Sequence, residues 1–176
     1  MSGCEIELTS IGGCGLRRLC SRHEFSGVCP TGGIDMISTK GRYALRIMID
    51  LAEHRGGDWI PLKAVAERQE ISQKYIERIM PSLTGAGLVE GLHGKGGGYR
   101  LTRSPEEYTA LQVLTAAEGE LAPVACLGSG APACSRASEC RTLELWRGFY
   151  KLTKEYFGSV TLASLTAAGG AADYVI

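Results

Sequence analysis

The chain contains no apolar run approaching the ~18–20 residues that a membrane span requires. Residues 1–13 offer no basic stretch followed by an apolar one, so no secretory signal is read there. Together these absences point to a cytoplasmic protein. Catalytic vocabulary is equally sparse. The three histidines, His23, His54 and His93, lie far apart, and no Ser/His/Asp or metal-hydrolase constellation accompanies them, so an enzyme is not expected. Neither a P-loop frame nor a dinucleotide-binding fingerprint is present. Cysteine is absent between Cys29 and Cys126, and no two cysteines stand in the Cys-x-x-Cys spacing of a zinc ribbon. Net charge is missing too: 19 Lys and Arg balance 19 Asp and Glu.

What is present suffices for one folded domain. A chain of 176 residues, 44% hydrophobic and 22% charged, can bury a core, and its composition argues against disorder for most of its length. The zero net charge hides an asymmetry. Met36 to Arg103 carries 11 Lys and Arg against 7 Asp and Glu, whereas Ser104 to Ile176 carries 5 against 8. A basic stretch beside an acidic one allows a single face to meet phosphates.

Apolar residues recur at helical spacing from Met36 onward. Thr39 is placed to cap a first helix, carrying Ala44, Ile47, Met48 and Leu51, that stops at Gly56-Gly57. Trp59-Ile60-Pro61 reads as a short extended piece. A second helix spans Leu62 to Gln69, Glu70-Ile71 turns, and Ser72 caps a third helix with Tyr75, Ile76, Ile79 and Leu83 on its apolar side. Pro81 removes a backbone donor there, so a kink without a break is expected. Leu88 to His93 and Tyr99 to Thr102 read as strands joined by Gly94-Lys95-Gly96-Gly97-Gly98. Three helices followed by such a hairpin make a winged helix-turn-helix.

Beyond the hairpin, Ser104-Pro105-Glu106-Glu107 and Thr109-Ala110-Leu111-Gln112 have capping-box spacing, the second opening a helix over Ala110 to Glu118. Leu121 to Glu139 reads as a cysteine-bearing loop, Arg141 to Phe157 as a long helix and Thr161 to Leu165 as a short closing one. The long helix carries Leu145, Trp146, Phe149, Tyr150, Tyr156 and Phe157 around more than half its circumference. A second copy of the chain is a natural cover for it. The expected fold class is mainly α with a small β-hairpin wing. It comprises a winged helix-turn-helix over 36–103, a cysteine loop with dimerisation helices over 104–165, and a mobile tail over 166–176.

In a helix-turn-helix the start of the second helix of the motif enters the major groove. Here it presents Ser72, Gln73, Lys74, Tyr75, Glu77 and Arg78. Gln and Arg can pair with adenine and guanine, Glu can accept from cytosine, and Lys can meet guanine or phosphate. A merely solvated helix face would show the same residue types. The hairpin favours the first alternative: His93 and Lys95 at its tip, with Arg100 and Arg103 on its flank, suit a wing in the minor groove. The partner so implied is double-stranded DNA.

Cys126-x7-Cys134-x5-Cys140, with Gly128, Gly130 and Pro132 between, can fold around a metal. Thiolates suit zinc or an iron–sulfur cluster, and the spacing disfavours zinc. A redox-sensing thiol set and plain packing cysteines stay open as alternatives.

The stretches Thr39-Lys40-Gly41-Arg42-Tyr43-Ala44-Leu45, Ile71-Ser72-Gln73-Lys74-Tyr75-Ile76-Glu77, Gly85-x-Gly87-Leu88-Val89 and Gly96-Gly97-Gly98-Tyr99 resemble the Rrf2 family of bacterial transcription regulators. Their order and spacing cover about Met36 to Leu165. The resemblance implies a homodimeric winged-helix regulator, and Glu77 matches the acidic position through which the family's recognition helix reads DNA. It also implies, for the iron–sulfur branch, a cluster on Cys126, Cys134 and Cys140, [2Fe-2S] ahead of [4Fe-4S]. The family's cluster-assembly regulator has a fourth ligand, a histidine, three residues after the last cysteine, where this chain has Leu143. Its nitric-oxide sensor uses an aspartate near the start of the partner's first helix, where this chain has Arg42. Glu144 is therefore the first candidate for a fourth ligand, followed by Glu139, with His54, His23 or an early cysteine behind. His93 replaces an arginine of the cluster-assembly regulator's wing, so DNA preference need not transfer. Alternatives are a cluster-free regulator controlled by a protein partner or thiol oxidation and, further off, an iron–sulfur electron carrier.

Residues 1–35 show little periodicity and four of the seven cysteines. They are expected to be either a disordered extension or translated leader ahead of a start at Met36. Codons for Gly32-Gly33 can spell a ribosome-binding sequence, with Ile34-Asp35 as spacer.

Overall fold

The computed structural model describes residues 36–168. The expectations for residues 1–35, and for the tail beyond Ala168, lie outside the described residues.

Helix α1 (Thr39–Glu53) is amphipathic, and Ala44, Ile47, Met48 and Leu51 on its inner stripe are buried. Its cap is Ser38, not Thr39: the Ser38 hydroxyl accepts from the Lys40 N–H at 3.0 Å, while the Thr39 hydroxyl accepts from Arg42. The helix ends at Glu53, before the glycine pair. Glu118, from a distant helix, accepts hydrogen bonds from Ser38 N, Ser38 Oγ and Gly41 N at 2.9, 2.7 and 2.7 Å. A carboxylate is favourable at a helix N-terminus. It sits so close that a β-carbon at Gly41 would collide with it, which accounts for the glycine.

Helix α2 (Leu62–Gln69) joins α1 through Asp50, which has no exposed surface. Arg68 donates to both its oxygens, at 2.9 and 2.6 Å, and Gln69 donates at 3.1 Å. Glu70 turns the chain in the left-handed region, at φ 54°, into α3 (Gln73–Gly85), capped by Ser72 as expected. Helix α3 runs through Pro81 to bury Ile76, Ile79, Met80 and Leu83.

Strands β1 (Val89–Leu92) and β2 (Gly98–Leu101) form the antiparallel wing, β1 one residue shorter at each end than the pattern suggests and β2 of the same length but one residue earlier. Ile60 adds a third rung on the other side of β2, exchanging backbone hydrogen bonds with Tyr99 at 3.0 and 2.8 Å. At Gly98 the Ile60 backbone comes so near that any side chain would clash. Tyr108 closes the base of the wing. Its ring is fully buried, and its hydroxyl donates to the Leu88 carbonyl at 3.0 Å and accepts from the Arg103 N–H at 2.7 Å.

Helix α4 (Ala110–Glu118) opens with the expected reciprocal cap between Thr109 and Gln112. The cysteine loop follows. Helix α5 (Leu143–Ser159) starts two residues later than the pattern suggests, and α6 (Leu162–Ala168) returns to pack Leu162 into the core beside α1. Helix α6 reaches Ala168, so Thr166–Ala168, the first residues of the stretch expected over 166–176, are helical. The fold is mainly helical with one two-stranded hairpin, the winged helix-turn-helix class.

Candidate nucleic-acid interface and cysteine loop

The turn at Glu70-Ile71 and the buried stripe of α3 aim the opposite side of that helix outward. Ser72, Gln73, Lys74, Glu77 and Arg78 are all exposed, and Tyr75 is half-buried. Two of them are already engaged with each other, since Gln73 Nε2 donates to Glu77 Oε1 at 2.9 Å. Tyr75 meets Tyr43 of α1 edge-on, with ring centres 5.6 Å apart, and Arg78 lies 6.0 Å from the Tyr75 ring. The face therefore combines amide, carboxylate, ammonium and guanidinium groups on a rigid helix, the donor and acceptor set that reads base edges.

His93 and Lys95 are exposed at the hairpin tip. The glycines around them serve the turn itself. Gly94 and Gly96 adopt φ of 106° and 78°, and Gly97 N–H donates to Gly94 O at 3.0 Å. On the flank, Arg100 bonds Glu90 at 2.6 Å and stacks over Trp59 at 4.3 Å, while Arg103 covers Tyr108 at 4.6 Å. Arg100 is thus partly neutralised, and the tip is left to Lys95.

Cys126, Cys134 and Cys140 are exposed and stand outside any disulfide. They fall within a 15-residue span of loop, yet all three line one cavity of about 240 Å³ together with Leu127, Pro132, Leu143 and Arg147. Cys140 sits at the start of α5. Its thiol lies 3.6 Å from the Thr142 hydroxyl. That hydroxyl, then the Thr142 and Leu143 N–H groups, then Arg136 hold its pKa below the ordinary thiol range, in spite of some desolvation. The donor set suits a soft metal. Among the described residues no three His, Cys, Asp or Glu side chains are grouped to hold a single metal ion as they stand. Leu143 faces the cavity from the position where the cluster-assembly regulator has its histidine. Glu144 does not line it; its carboxylate accepts from Arg147 at 2.8 Å. Glu139 lines an adjoining cavity with Cys134 and Cys140. His54 and Arg42 are engaged elsewhere, with Asp50 O and Thr39 Oγ1.

One carboxylate escaped sequence reasoning. Glu120 accepts from the Tyr150 hydroxyl of α5 at 2.6 Å and from the Ser129 hydroxyl of the cysteine loop at 2.7 Å, and also from the Ser129 N–H. Tyr150, then Ser129, lower its pKa from 4.5 to about 2, and the Glu120 contact raises that of Tyr150 to about 12. Separations of 9 and 30 residues carry no local spacing signal that could have flagged these partners.

Comparison with known proteins gives a consistent result. A family model, Rrf2, described as an iron-dependent transcriptional regulator, matches residues 37–168. A proposed helix-turn-helix-type transcriptional regulator of Neisseria meningitidis serogroup A, NMA1593, is 41% identical over 129 residues, 73% of this chain and 86% of that one. Among solved structures, CymR, the global cysteine regulator of Bacillus subtilis, aligns at 37% identity with a TM-score of 0.61, covering 74% of this chain and 95% of that one. IscR of T. potens aligns at 33% identity with a TM-score of 0.59, covering 76% and 87%.

Proposed function

The chain belongs to the Rrf2 family of transcription regulators, and on that premise we propose that Cys126, Cys134 and Cys140 hold an iron–sulfur cluster whose presence or state controls DNA binding. The protein is a DNA-binding transcription regulator and not an enzyme. None of its helices among the described residues is long and apolar enough to cross a membrane.

The observation that carries the proposal is the sharing of one cavity by three thiols that are far apart along an exposed loop. A cluster, [2Fe-2S] ahead of [4Fe-4S], would supply a centre responsive to oxidants, small ligands or iron supply. Around it the chain's own residues divide the work. Cys126, Cys134 and Cys140 bind as thiolates, and the Thr142 hydroxyl and N–H groups at the α5 start favour that form at Cys140. Either Glu144 or Glu139 supplies a fourth ligand: Glu144 must first leave Arg147, whereas Glu139 already shares a cavity with two of the cysteines.

Helix α5 then carries the state of the loop toward a second copy. Leu145, Phe149, Leu152 and Tyr156 are 63, 42, 67 and 66% exposed, an apolar face that a homodimer would cover. Dimerisation sets the spacing of two recognition helices. In each, Ser72, Gln73, Lys74, Tyr75, Glu77 and Arg78 meet base edges and adjoining phosphates, with His93 and Lys95 on the wing. Regulation follows only if the two loop states differ in DNA affinity. Such a regulator works in the cytoplasm of the bacterial cell.

The test is anaerobic purification with iron and sulfide analysis and a visible spectrum. Equimolar iron and sulfide with charge-transfer absorbance are expected, and Cys134→Ala should lose both, because two thiolates are too few. Full iron and sulfide in Cys134→Ala protein overturns the assignment. Glu139→Gln and Glu144→Gln, compared by the same spectrum, separate the two carboxylates.

A second reading is favoured by the exposure of all three thiols and by the lack of a grouped single-ion site among the described residues. On it, the chain is a cluster-free regulator controlled by thiol oxidation or a protein partner. A colourless anaerobic protein whose DNA affinity changes on oxidation would establish it.

A further inference from the structure

We propose that Glu120 is a positioning residue that ties the cysteine loop to helix α5, so that rearrangement of the loop is passed to the helix through Ser129 and Tyr150. As a route for signalling this rests on the sensing role proposed above; as a mechanical link it stands on the geometry alone.

Glu120 stands where three parts of the chain meet. It follows the end of α4 by two residues, after Gly119 turns the backbone at φ 88°, and the next residue, Leu121, is buried. Its backbone is thus fixed to the folded body. Its side chain faces a cavity of about 260 Å³ bounded by Leu111 and Thr115 of α4, Ser129 of the loop, and Tyr150 and Lys154 of α5.

The two carboxylate oxygens are divided between the two moving parts. Oε2 takes both bonds from Ser129, its N–H and its hydroxyl, while Oε1 takes the Tyr150 hydroxyl. Ser129 lies between Cys126 and Cys134, so any change at the thiols pulls on it directly. Tyr150 follows Phe149 on the helix whose apolar face is exposed, and Lys154 one turn on lies 4.8 Å from the Tyr150 ring. Bonds to a charged acceptor are stronger than neutral ones. These bonds are nonetheless solvent-exposed, so water competes for each of them. The link therefore holds the loop in one arrangement and can still be released.

The test uses the full chain in the reduced, cluster-free state, and then in the reconstituted or oxidised state. In the first, amide exchange at Ser129 is followed by NMR in wild type, Tyr150→Phe, Glu120→Ala and Glu120→Gln. If one carboxylate serves both sides, Tyr150→Phe, which removes only the hydroxyl bonded to Glu120, speeds exchange at Ser129 several-fold. Glu120→Ala speeds it further, and Glu120→Gln, which keeps an acceptor for Ser129 and a donor for Tyr150, restores most of the protection. Unchanged exchange in Tyr150→Phe overturns the proposal. In the second, the ratio of DNA affinities between loop states is measured. Glu120→Ala is expected to bring that ratio toward one without abolishing DNA binding in either state, while Glu120→Gln recovers it. A ratio unaltered in Glu120→Ala overturns the signalling role. A wild-type ratio of one instead defeats the proposed sensing function, and the exchange experiment then decides the link by itself.

Discussion

Helix α1, of 15 residues, buries seven of them, whereas α5, of 17, buries none. Both are amphipathic, so the difference is not in their patterns but in what covers their apolar sides. Helix α1 lies against α4, α6 and the wing base, and its stripe joins a core that includes Val65, Ile76, Leu83, Val89 and Tyr108. The loop before α5, from Ala122 to Thr142, likewise contains no buried residue. Burial of a large apolar side chain is worth about 1.5–3 kcal/mol, so the body built on α1 has a stabilising core that the cysteine loop and α5 lack. The cysteine loop and α5 have few buried contacts to lose, the condition under which a segment opens at low cost.

The sharpest way to break that contrast is to attack each half at its own anchor. Arg68→Ala leaves the fully buried Asp50 carboxylate with one hydrogen-bond donor, Gln69, and the His54 ring 3.9 Å away. Breaking a buried pair in this sense costs about 3–5 kcal/mol. The melting temperature should fall steeply, with DNA binding lost alongside, as calorimetry would show. A mild effect would mean that the α1–α2 junction is not where the stability resides.

Leu152→Glu strikes the other half. Leu152 is 67% exposed, so the monomer gains rather than loses solubility and its folding is unaffected. A charge in the middle of an apolar interface should weaken self-association by about two orders of magnitude, the equivalent of ~3 kcal/mol. Sedimentation equilibrium should show monomers for the variant and, on the proposed homodimer, dimers for the wild type. A dimer that tolerates Leu152→Glu places the interface on another surface.

Two substitutions sharpen the comparison within the DNA-reading half. Glu77→Ala should relax preference at particular base pairs, where a good contact discriminates by about 1–3 kcal/mol. Lys95→Ala should weaken binding to all sequences alike and lower the salt slope by roughly one unit, as loss of one phosphate contact does. Titrations across salt and sequence distinguish the two. If Lys95→Ala changes neither affinity nor slope, the wing is not on the phosphates.

The contrast also governs how much was legible in advance. Helix α2 and α4 have the bounds that their apolar spacing and caps predict, because burial enforces that spacing. The cap of α1 was missed by one residue, since Ser38 is selected by Glu118, which is 80 positions away. The glycines of the wing read only as a connection between two strands, whereas Gly98 is required by the approach of the Ile60 backbone and Gly94 and Gly96 by the turn. In the cysteine half, the three thiols were legible as a set. The Arg147 pairing of Glu144 and the three-way contact at Glu120 were not, because such bonds depend on how loops fold back and leave no periodic trace.

That three-way contact supplies the smallest effect and a test of whether the loop is held in solution. The Glu120 carboxyl is lowered from 4.5 to about 2, first by Tyr150 and then by Ser129. A depressed acid contributes stability that is complete above its unfolded value and is lost as pH falls through its folded value. Between pH 8 and 5, by this group, the loop should therefore be unchanged. Release should begin below about 4.5 and finish near 2. Because the group is fully exposed, screening keeps the effect on global stability small, so the carboxyl itself is the better reporter. A carbon-detected titration of the Glu120 side chain should give a midpoint well below that of an ordinary glutamate, and Tyr150→Phe should move it upward. A wild-type midpoint near 4.5 would mean that Ser129 and Tyr150 do not share the carboxylate in solution. The cysteine loop would then be anchored at Leu121 without the further tie through Ser129.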